Sequence, residues 1–299
     1  MSKFKIYNVP PMSAAEIEQL GTKQKFWYYL GERKLLYKIG YDNSGEHWAE
    51  KIACEICTAL RIPHAHYELA VYNDTIGVIS ETFVPSGYRL ILGNELLAIF
   101  NKYDMYKKYK QKDYTLLSVL AVMKIHGLKT PFRFRRTKGI KNALSVFLGY
   151  LMLDALIANQ DRHHENWGLV LNPKQGLYLA PTYDHASSFA RNVSDKEKEE
   201  RMRTRDERRS INSFVLKAKS PFYHSVDGTQ LSTFDAFISA SKRDPDAASE
   251  WLNRLRKIPS KIFRELFEMI PDELISQVTR KFSLQMLEIN KERLLSLIG

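Results

Sequence analysis

The chain has 299 residues, of which 44% are hydrophobic and 26% charged, a composition typical of a globular protein with room for two subdomains. Two cysteines are too few for a disulfide framework. The first residues lack the apolar core of a signal peptide. The longest apolar run, residues 146–159, is interrupted by Asp154 and is too short to span a bilayer. We therefore expect a cytoplasmic protein without a membrane partner.

The N-terminal part shows the pattern of strands around one helix. Its predicted strands are rich in aromatic and β-branched side chains and comprise residues 26–30, 34–40, 67–72 and 77–83. The last two form a predicted hairpin around Asn73 and Asp74. Residues 46–60 have apolar side chains at helical spacing, with Ser44 as the expected N-cap.

After about residue 85 the sequence becomes mainly helical. Helical periodicity is seen in residues 93–109, 114–126 and 140–159 and, as a bundle, in residues 229–298. Two short strands are predicted at 167–171 and 176–179. The highly charged residues 194–210 indicate either a solvated helix or a mobile segment. We expect an α+β protein with a small β-rich lobe, residues 1–85, and a larger helical lobe, residues 86–299.

The net charge of +11 is concentrated in one segment. Residues 124–141 hold seven Lys or Arg and no Asp or Glu. Such a patch can bind nucleic acid or an acidic protein surface, although no nucleic-acid-binding motif accompanies it. The alternative is a solvated basic loop with Phe132 and Phe134 turned inward.

A polar loop, "DRHHENWG", follows the longest apolar run and places Asp161 five residues before Asn166. Phosphoryl transfer uses this spacing, with the Asp accepting the proton of the attacking hydroxyl and the Asn side-chain oxygen binding Mg²⁺. The spacing alone is weakly specific, because two such residues also cap ordinary turns.

Further residues lie where phosphoryl transfer requires them. Asp184 follows a short two-stranded unit, the position of a second Mg²⁺ ligand. Lys38 lies on an apolar strand, where its burial is costly unless it meets negative charge such as ATP phosphates. Glu50 on the next helix is its expected ion-pair partner, and Glu46, one turn earlier, is the alternative.

A loop with one glycine precedes the first predicted strand. Gly21 permits close approach of the backbone to phosphate, and Thr22, Lys23 and Lys25 add donors and positive charge. The loop is neither a Walker A motif nor the three-glycine loop of protein kinases.

The stretches "GTKQKFW", "YKIG", "GEHWAEKIACEI", "LDALIANQDRHHENWGLVL" and "LAPTYDHASS" together resemble the HipA-like serine/threonine kinases. The catalytic domain of that family is distantly similar to phosphatidylinositol 3/4-kinases. The resemblance runs in order over residues 21–188. It implies a bilobal protein-kinase-like fold and transfer of the γ-phosphate of ATP, with Mg²⁺, to a Ser or Thr hydroxyl of a protein.

The resemblance also implies roles for individual residues. Asp161 corresponds to the catalytic base, Asn166 and Asp184 to the Mg²⁺ ligands, and Lys38 to the ligand of the ATP phosphates. The other implied ATP-binding residues are Gly21, Thr22, Lys23, Gln24, Lys25, Glu50, Glu81, Thr82, Phe83 and His163. Glu81, Thr82 and Phe83 would belong to the hinge that meets adenine, and His163 would support the catalytic loop.

The chain departs from the long members of the family, which carry an additional N-terminal subdomain. Only about twenty residues precede Gly21 here, so the sequence resembles the short members. An antitoxin or other regulatory partner therefore remains an open expectation. Some relatives are shut down by autophosphorylation of a loop serine. The only hydroxyl in this loop is Thr22, where a phosphate would repel the phosphates of ATP.

Alternatives to a protein kinase remain. One is a kinase acting on a lipid head group or small molecule, and another is a catalytically silent module that docks a partner through residues 124–141. The presence of all four residues expected for catalysis favours an active enzyme. The motif "CEIC", Cys54 to Cys57, lies inside a predicted helix without a second pair, so we interpret both cysteines as core residues.

Overall fold

A six-stranded sheet and one helix form the N-terminal part of the protein in a computed structural model, which describes residues 2–10, 16–17, 25–40, 44–100, 103–224 and 228–298. In chain order the elements are β1 (Ile6–Asn8), β2 (Glu16–Ile17), β3 (Lys25–Leu30), β4 (Arg33–Ile39), α1 (Glu46–Leu60), β5 (Tyr67–Tyr72) and β6 (Thr75–Glu81). The strand order is β1-β5-β6-β4-β3-β2. Within this sheet, as far as the structure describes it, β1 and β5 pair in parallel and the other neighbouring strands are antiparallel.

The four strands and the helix predicted for this part are confirmed. Asn73 and Asp74 join β5 to β6 with φ angles of 44° and 60°, the left-handed conformation that two-residue hairpin turns need. The Ser44 N-cap prediction is wrong, because the cap is Gly45 with a φ of 67°. Glycine adopts that angle without the steric cost that a Cβ would bring.

Helices and two small sheets form the C-terminal part. Its elements are β7 (Arg89–Leu92), α2 (Gly93–Phe100), α3 (Leu116–Val122), α4 (Ala143–Ile157), β8 (Gly168–Asn172), β9 (Gly176–Leu179), α5 (Asp195–Arg203), α6 (Ile211–Leu216), β10 (Lys219–Tyr223), β11 (Gln230–Ser232), α7 (Thr233–Ser241), α8 (Pro245–Arg256), α9 (Ser260–Glu268) and α10 (Gln277–Leu295). Strands β7, β8 and β9 form one antiparallel sheet, and β10 pairs with β11. The α+β class, with a β-rich N-terminal and a helical C-terminal part, is thus confirmed.

Three predicted helices are shorter than their periodicity suggested. Helix α2 ends at Phe100, and the side chains of Thr115 and Asn142 cap the starts of α3 and α4 by accepting backbone N–H bonds. Ala158, with a φ of 51°, ends α4. The apolar pattern continues past α4 because Ala158 is also buried, whereas Tyr106 and Tyr109, beyond α2, are exposed.

Helix α4 lies at the centre of the helical part, and every one of its residues is buried. It contacts α7, α8 and α10. A Cβ on Gly149 would lie 2.5 Å from the Trp251 ring, so α8 approaches α4 closely only because residue 149 is glycine. Asp154 is a carboxylate inside this apolar helix and must be paired to be stable there.

The basic segment 124–141 is only partly turned inward. Phe134 packs against the core as expected, but Phe132 is 45% exposed, so its predicted burial is wrong. Its ring makes edge contacts with Tyr88 and Tyr178, which hold it across the outside of the three-stranded sheet.

The charged stretch 194–210 contains α5, whose first turn is capped by Ser194, and a 3-10 turn at Glu207–Arg209. This confirms the solvated-helix interpretation for its first half. None of the helices in the described part of the chain combines the length and apolar character of a membrane span.

Candidate active site

Lys38 lies on β4, inside the six-stranded sheet, with its side chain buried beside two carboxylates. Its Nζ atom is 3.0 Å from Oδ1 of Asp184 and 3.7 Å from Oε1 of Glu50. Burial by itself would lower the pKa of Lys38, but these carboxylates outweigh it and hold the pKa above its usual value. The ammonium group therefore stays charged and points to where β4, α1 and the segment after β9 meet.

The two candidate partners of Lys38 on α1 have different contacts. Glu50 faces Lys38, whereas Glu46 lies 2.8 Å from Nη2 of Arg191. Arg191 also donates hydrogen bonds to the backbone oxygens of Ala186 and Ser44. Glu50 therefore pairs with Lys38. Glu46 instead connects the start of α1 to Arg191, in the segment after Asp184.

The segment 161–166 forms a compact turn after α4. The Asn166 side chain donates a hydrogen bond from Nδ2 to the backbone oxygen of Asp161 at 2.7 Å, and the Asn166 N–H donates to His163 O at 2.9 Å. Since Nδ2 is bound within the loop, the Asn166 Oδ1 atom is the end left for a ligand. Asn159 donates its side-chain N–H to Asp154 and accepts the N–H of Asp161, which fixes where the loop begins.

Arg162 is the buried support of this loop. Its guanidinium binds both oxygens of Asp154, at 2.8 and 2.7 Å, and donates from Nη1 to the backbone oxygen of Asn166 at 2.8 Å. The same nitrogen lies 3.5 Å from the backbone oxygen of Tyr183. Burial would lower the pKa of Arg162, but Asp154 holds it above its usual value. Arg162 thereby binds the backbone of Asn166, one expected Mg²⁺ ligand, and of Tyr183, the residue before the other, Asp184.

Asp161 has polar neighbours on both sides. The Ser187 hydroxyl donates to its Oδ2 at 3.4 Å, and Nε2 of His163 lies 3.8 Å from its Oδ1. Burial lowers the pKa of His163 to about 4, so this imidazole is neutral at neutral pH. Burial and the Asp161 carboxylate raise the pKa of Tyr109 to about 12.

His163 accepts a hydrogen bond at Nδ1 from the backbone N–H of Glu165 at 3.1 Å, the support within the loop expected from the sequence. The neighbouring His164 instead bonds to the Tyr103 hydroxyl, and His185 bonds to Thr182. The three histidines point to different partners, which does not favour a shared zinc ion.

Asp184 has a left-handed backbone with a φ of 58°. Its N–H donates to the Tyr67 hydroxyl at 3.3 Å, and its carboxylate accepts from Lys38. The preceding Tyr183 donates its hydroxyl to Glu165 O and stacks on Phe83 with ring centroids 5.4 Å apart. Contacts on both sides therefore fix this unusual backbone.

The expected adenine hinge lies at the end of β6. Glu81 pairs with Arg33 at 2.8 Å, and the N–H of Thr82 donates to the backbone oxygen of Lys34 at 3.1 Å. The Thr82 N–H is therefore occupied by the sheet, whereas Phe83 faces the Tyr183 ring beside Asp184. An adenine role for these residues remains a prediction.

Most of the expected phosphate loop, Gly21, Thr22, Lys23 and Gln24, lies outside the described residues. Lys25 is the first residue of β3 and pairs with Lys38 in the sheet register.

The donors around Asp184 suit a magnesium ion. Mg²⁺ prefers carboxylate and amide oxygens, and the Asp184 carboxylate and the Asn166 Oδ1 are oxygens of that kind. Neither position carries a sulfur ligand, which softer metals prefer, so Asn166 and Asp184 fit Mg²⁺. Their role as ligands remains a prediction.

Several supporting residues were not anticipated from the sequence: Asp154, Arg162, Tyr67, Ser187 and Arg191. Asp154 carried a signal, because a lone acid within an apolar helix must find a partner when buried. Arg162 lies within the loop motif, but its position gives no sign of which groups it binds. Tyr67, Ser187 and Arg191 act through contacts between segments far apart in the chain, which a single sequence does not reveal.

A family model described as the HipA-like C-terminal domain matches residues 20–262. A comparison with curated protein sequences gave no match. The crystal structure of the Helicobacter pylori proinflammatory kinase CtkA superposes with a TM-score of 0.73 at 18% identity, covering 98% of this chain and 99% of that one. A chain of the Shewanella oneidensis HipA, HipB and operator DNA complex gives a TM-score of 0.58 at 13% identity, covering 95% of this chain and 66% of that one.

At such identities the two solved structures establish the fold, which is that of a bilobal kinase, and the family model extends over most of the sequence. The chain therefore belongs to the HipA-like C-terminal domain family.

Proposed function

We propose that the protein is an ATP- and Mg²⁺-dependent kinase that transfers the γ-phosphate of ATP to a Ser or Thr hydroxyl of a protein substrate. The observation that carries the proposal is the buried ion pair of Lys38 with Asp184, 3.0 Å apart and flanked by Glu50. A charged lysine between two acids on adjoining elements is the arrangement by which kinases hold ATP phosphates and a metal ion together.

Lys38 supplies positive charge for the triphosphate. Its Nζ atom is held by Asp184 and Glu50, so a phosphate oxygen entering the site replaces part of an existing ion pair instead of requiring a new buried charge. Mg²⁺, when bound by Asn166 and Asp184, would neutralise negative charge on the phosphates. Asn166 is kept in place for this by Arg162, which binds its backbone oxygen.

Asp161 orients the substrate hydroxyl and accepts its proton. The Ser187 hydroxyl and the turn closed by Asn166 restrict the carboxylate. His163, 3.8 Å away, is neutral at neutral pH and does not offset the charge of Asp161.

The partners are part of the proposal. One solved relative is named a kinase, and another is named together with HipB and operator DNA. We propose by analogy that a cytoplasmic regulatory protein controls this chain. Its substrate would be an acidic or nucleic-acid-associated protein that docks on the basic segment 124–141.

The decisive experiment measures phosphate transfer from labelled ATP with Mg²⁺, using the protein alone and with a cell lysate. We expect labelling by the wild type and loss of several orders of magnitude in rate for Asp161→Asn, which keeps the shape of the side chain and removes its charge. Asp246→Asn, an exposed acid on α8, is the control and should label normally.

The outcomes separate the alternatives. Label in a lipid or small-molecule fraction would indicate the other kinase class. ATP binding without transfer to any component would indicate a silent docking module. Unchanged labelling by Asp161→Asn would refute the role assigned to Asp161.

Autophosphorylation of Thr22 is a separate part of the proposal. Mass spectrometry of the wild-type protein incubated with ATP should find phosphate on Thr22, and Thr22→Val should remain active under conditions in which the wild type inactivates itself. Absence of phosphate on Thr22 in an actively labelling preparation would rule this regulation out.

A further inference from the structure

A group of two histidines and a cysteine lies behind α1, away from the Lys38 carboxylates. Cys54 is on α1, one turn after Glu50, and His64 and His66 lie in the segment leading into β5. One ligand atom from each of the three side chains lies within 4.8 Å of the others. The Sγ atom of Cys54 and Nδ1 of His66 are already 3.7 Å apart.

Both histidines are oriented as metal-binding histidines are. His66 has its Nε2 atom 2.8 Å from the carboxylate of Glu68, so that nitrogen carries the proton and Nδ1 presents a lone pair toward Cys54. His64 has Nδ1 2.7 Å from the backbone oxygen of Ile62, which only accepts hydrogen bonds. Its proton therefore lies on Nδ1, and Nε2 carries the lone pair.

The remaining neighbours agree with this arrangement. The Thr58 hydroxyl, 3.2 Å from Nε2 of His64, donates its proton to the backbone oxygen of Cys54 at 3.1 Å. Because that hydroxyl also lies within hydrogen-bond distance of the Nε2 lone pair, a metal ion bound by His64 would replace this contact. Glu68 is itself held by Lys51 at 2.8 Å, so the carboxylate behind His66 is fixed. A histidine backed by a carboxylate or carbonyl is the usual outer shell of a metal site.

We propose that Cys54, His64 and His66 bind a zinc ion that connects α1 to the segment before β5. A thiolate and two imidazoles suit Zn²⁺, and a water molecule would complete four-coordinate geometry on the side where His66 is exposed. Binding replaces the proton of the Cys54 thiol by the metal, and the proton passes to solvent. Zinc binding at these three residues does not require kinase activity.

The site is linked to the candidate active site through one residue. Tyr67 donates its backbone N–H to Sγ of Cys54 at 3.3 Å, and its hydroxyl accepts the N–H of Asp184 at 3.3 Å. Glu50 lies on the same helix as Cys54. A zinc ion at Cys54 would therefore restrain both the helix that carries Glu50 and the residue that holds Asp184.

The test uses the full chain, reduced and freed of metal, titrated with Zn²⁺ and separately with Co²⁺ as a spectroscopic probe. We expect one Zn²⁺ per chain and, with Co²⁺, a thiolate charge-transfer band together with the intense visible absorption of tetrahedral cobalt. Cys54→Ala should abolish the charge-transfer band. Cys57→Ala, a buried cysteine on the same helix, should retain it.

A second set of variants does not disturb the core. The His66 side chain is 62% exposed, so His66→Ala should fold and lose at least about a hundredfold in Zn²⁺ affinity, whereas the exposed His126→Ala should bind normally. Glu68→Gln should weaken binding by about 10- to 100-fold through His66. Failure of the wild type to bind, a cobalt spectrum that survives Cys54→Ala, or equal affinity in wild type and His66→Ala would each overturn the proposal.

Discussion

Arg162 donates a hydrogen bond to the backbone oxygen of Asn166 while both oxygens of the buried Asp154 hold its guanidinium. The central helix therefore fixes the proposed catalytic loop through one charged pair. Removing either partner would leave the other charge buried alone, which is much costlier than losing an exposed ion pair.

Asp154→Ala should destabilise the protein by about 3–5 kcal/mol, because the guanidinium of Arg162 remains buried without its counter-charge. Urea unfolding monitored by tryptophan fluorescence measures this loss. The double variant D154L/R162M should regain much of the stability but remain inactive, since an apolar pair fills the space without binding Asn166. Full activity in the double variant would contradict the support role.

A more exposed ion pair on α5 is the matched control for the buried pair of Asp154 and Arg162. Glu199 and Arg203 lie 3.8 Å apart on α5, with side chains 41% and 78% exposed. Glu199→Ala should change the unfolding free energy by only about 0.5 kcal/mol. A loss as large as that of Asp154→Ala would mean that burial is not the cause of the difference.

Glu50 and Glu46 provide a second test, because they lie one turn apart but contact different cations. Glu50→Gln should lower kcat/KM for ATP by about tenfold or more, since Lys38 loses one of the charges that position it. Glu46→Gln should lower it less, because Arg191 keeps its bonds to Ala186 and Ser44. Steady-state kinetics at varied ATP measure both; equal losses would show that Lys38 does not distinguish the two acids.

Local patterns predicted much of the fold. The spacing of apolar residues gave α1 with both of its ends, and the Asn73-Asp74 pair gave the β5–β6 hairpin, because helical periodicity and left-handed turn residues act within a few residues. Strand β1 was missed. It is three residues long and pairs with β5, so nothing in its own sequence marks it as a strand.

The candidate site, too, could be predicted from local sequence patterns only in part. Asp161, Asn166 and Asp184 could be proposed from spacing because each lies in a short segment with its own pattern. Glu50 was the expected partner of Lys38, but the spacing could not exclude Glu46, since the choice depends on how α1 is rotated against β4. The partner of Asp154 likewise depends on how the chain turns after Ala158, whose left-handed backbone brings Arg162 back to the helix.

Acid should destabilise the protein below about pH 6.5. Burial lowers the pKa of His47, His163 and His164 to about 4 from the ordinary value of 6.5. As the pH falls from about 6.5 to about 4, the unfolded chain binds protons at these groups and the folded chain does not. Stability should fall over that interval by up to about 1.4 kcal/mol per pH unit for each histidine, and the full contribution is present above it.

Urea unfolding at several pH values between 7 and 5 measures this dependence. His163→Gln should show a shallower fall in stability than the wild type, because one proton fewer is taken up on unfolding. His126→Gln, an exposed histidine, is the control and should follow the wild type. Identical slopes for His163→Gln and the wild type would contradict the lowered pKa of His163.

Ser187 and Ser188 are adjacent serines with different partners, which separates an effect on Asp161 from an effect on folding. The Ser187 hydroxyl donates to the Asp161 carboxylate at 3.4 Å, whereas the buried Ser188 hydroxyl donates to the backbone oxygen of His185 at 2.6 Å. Ser187→Ala should lower kcat by about tenfold with little change in KM for ATP, because it removes one restraint on the proposed base. Ser188→Ala should instead lower the unfolding free energy by about 1 kcal/mol and leave kcat of the folded protein near that of the wild type.

Rate measurements and urea unfolding on both variants make the comparison. A loss of kcat confined to Ser188→Ala would show that Ser187 does not position Asp161.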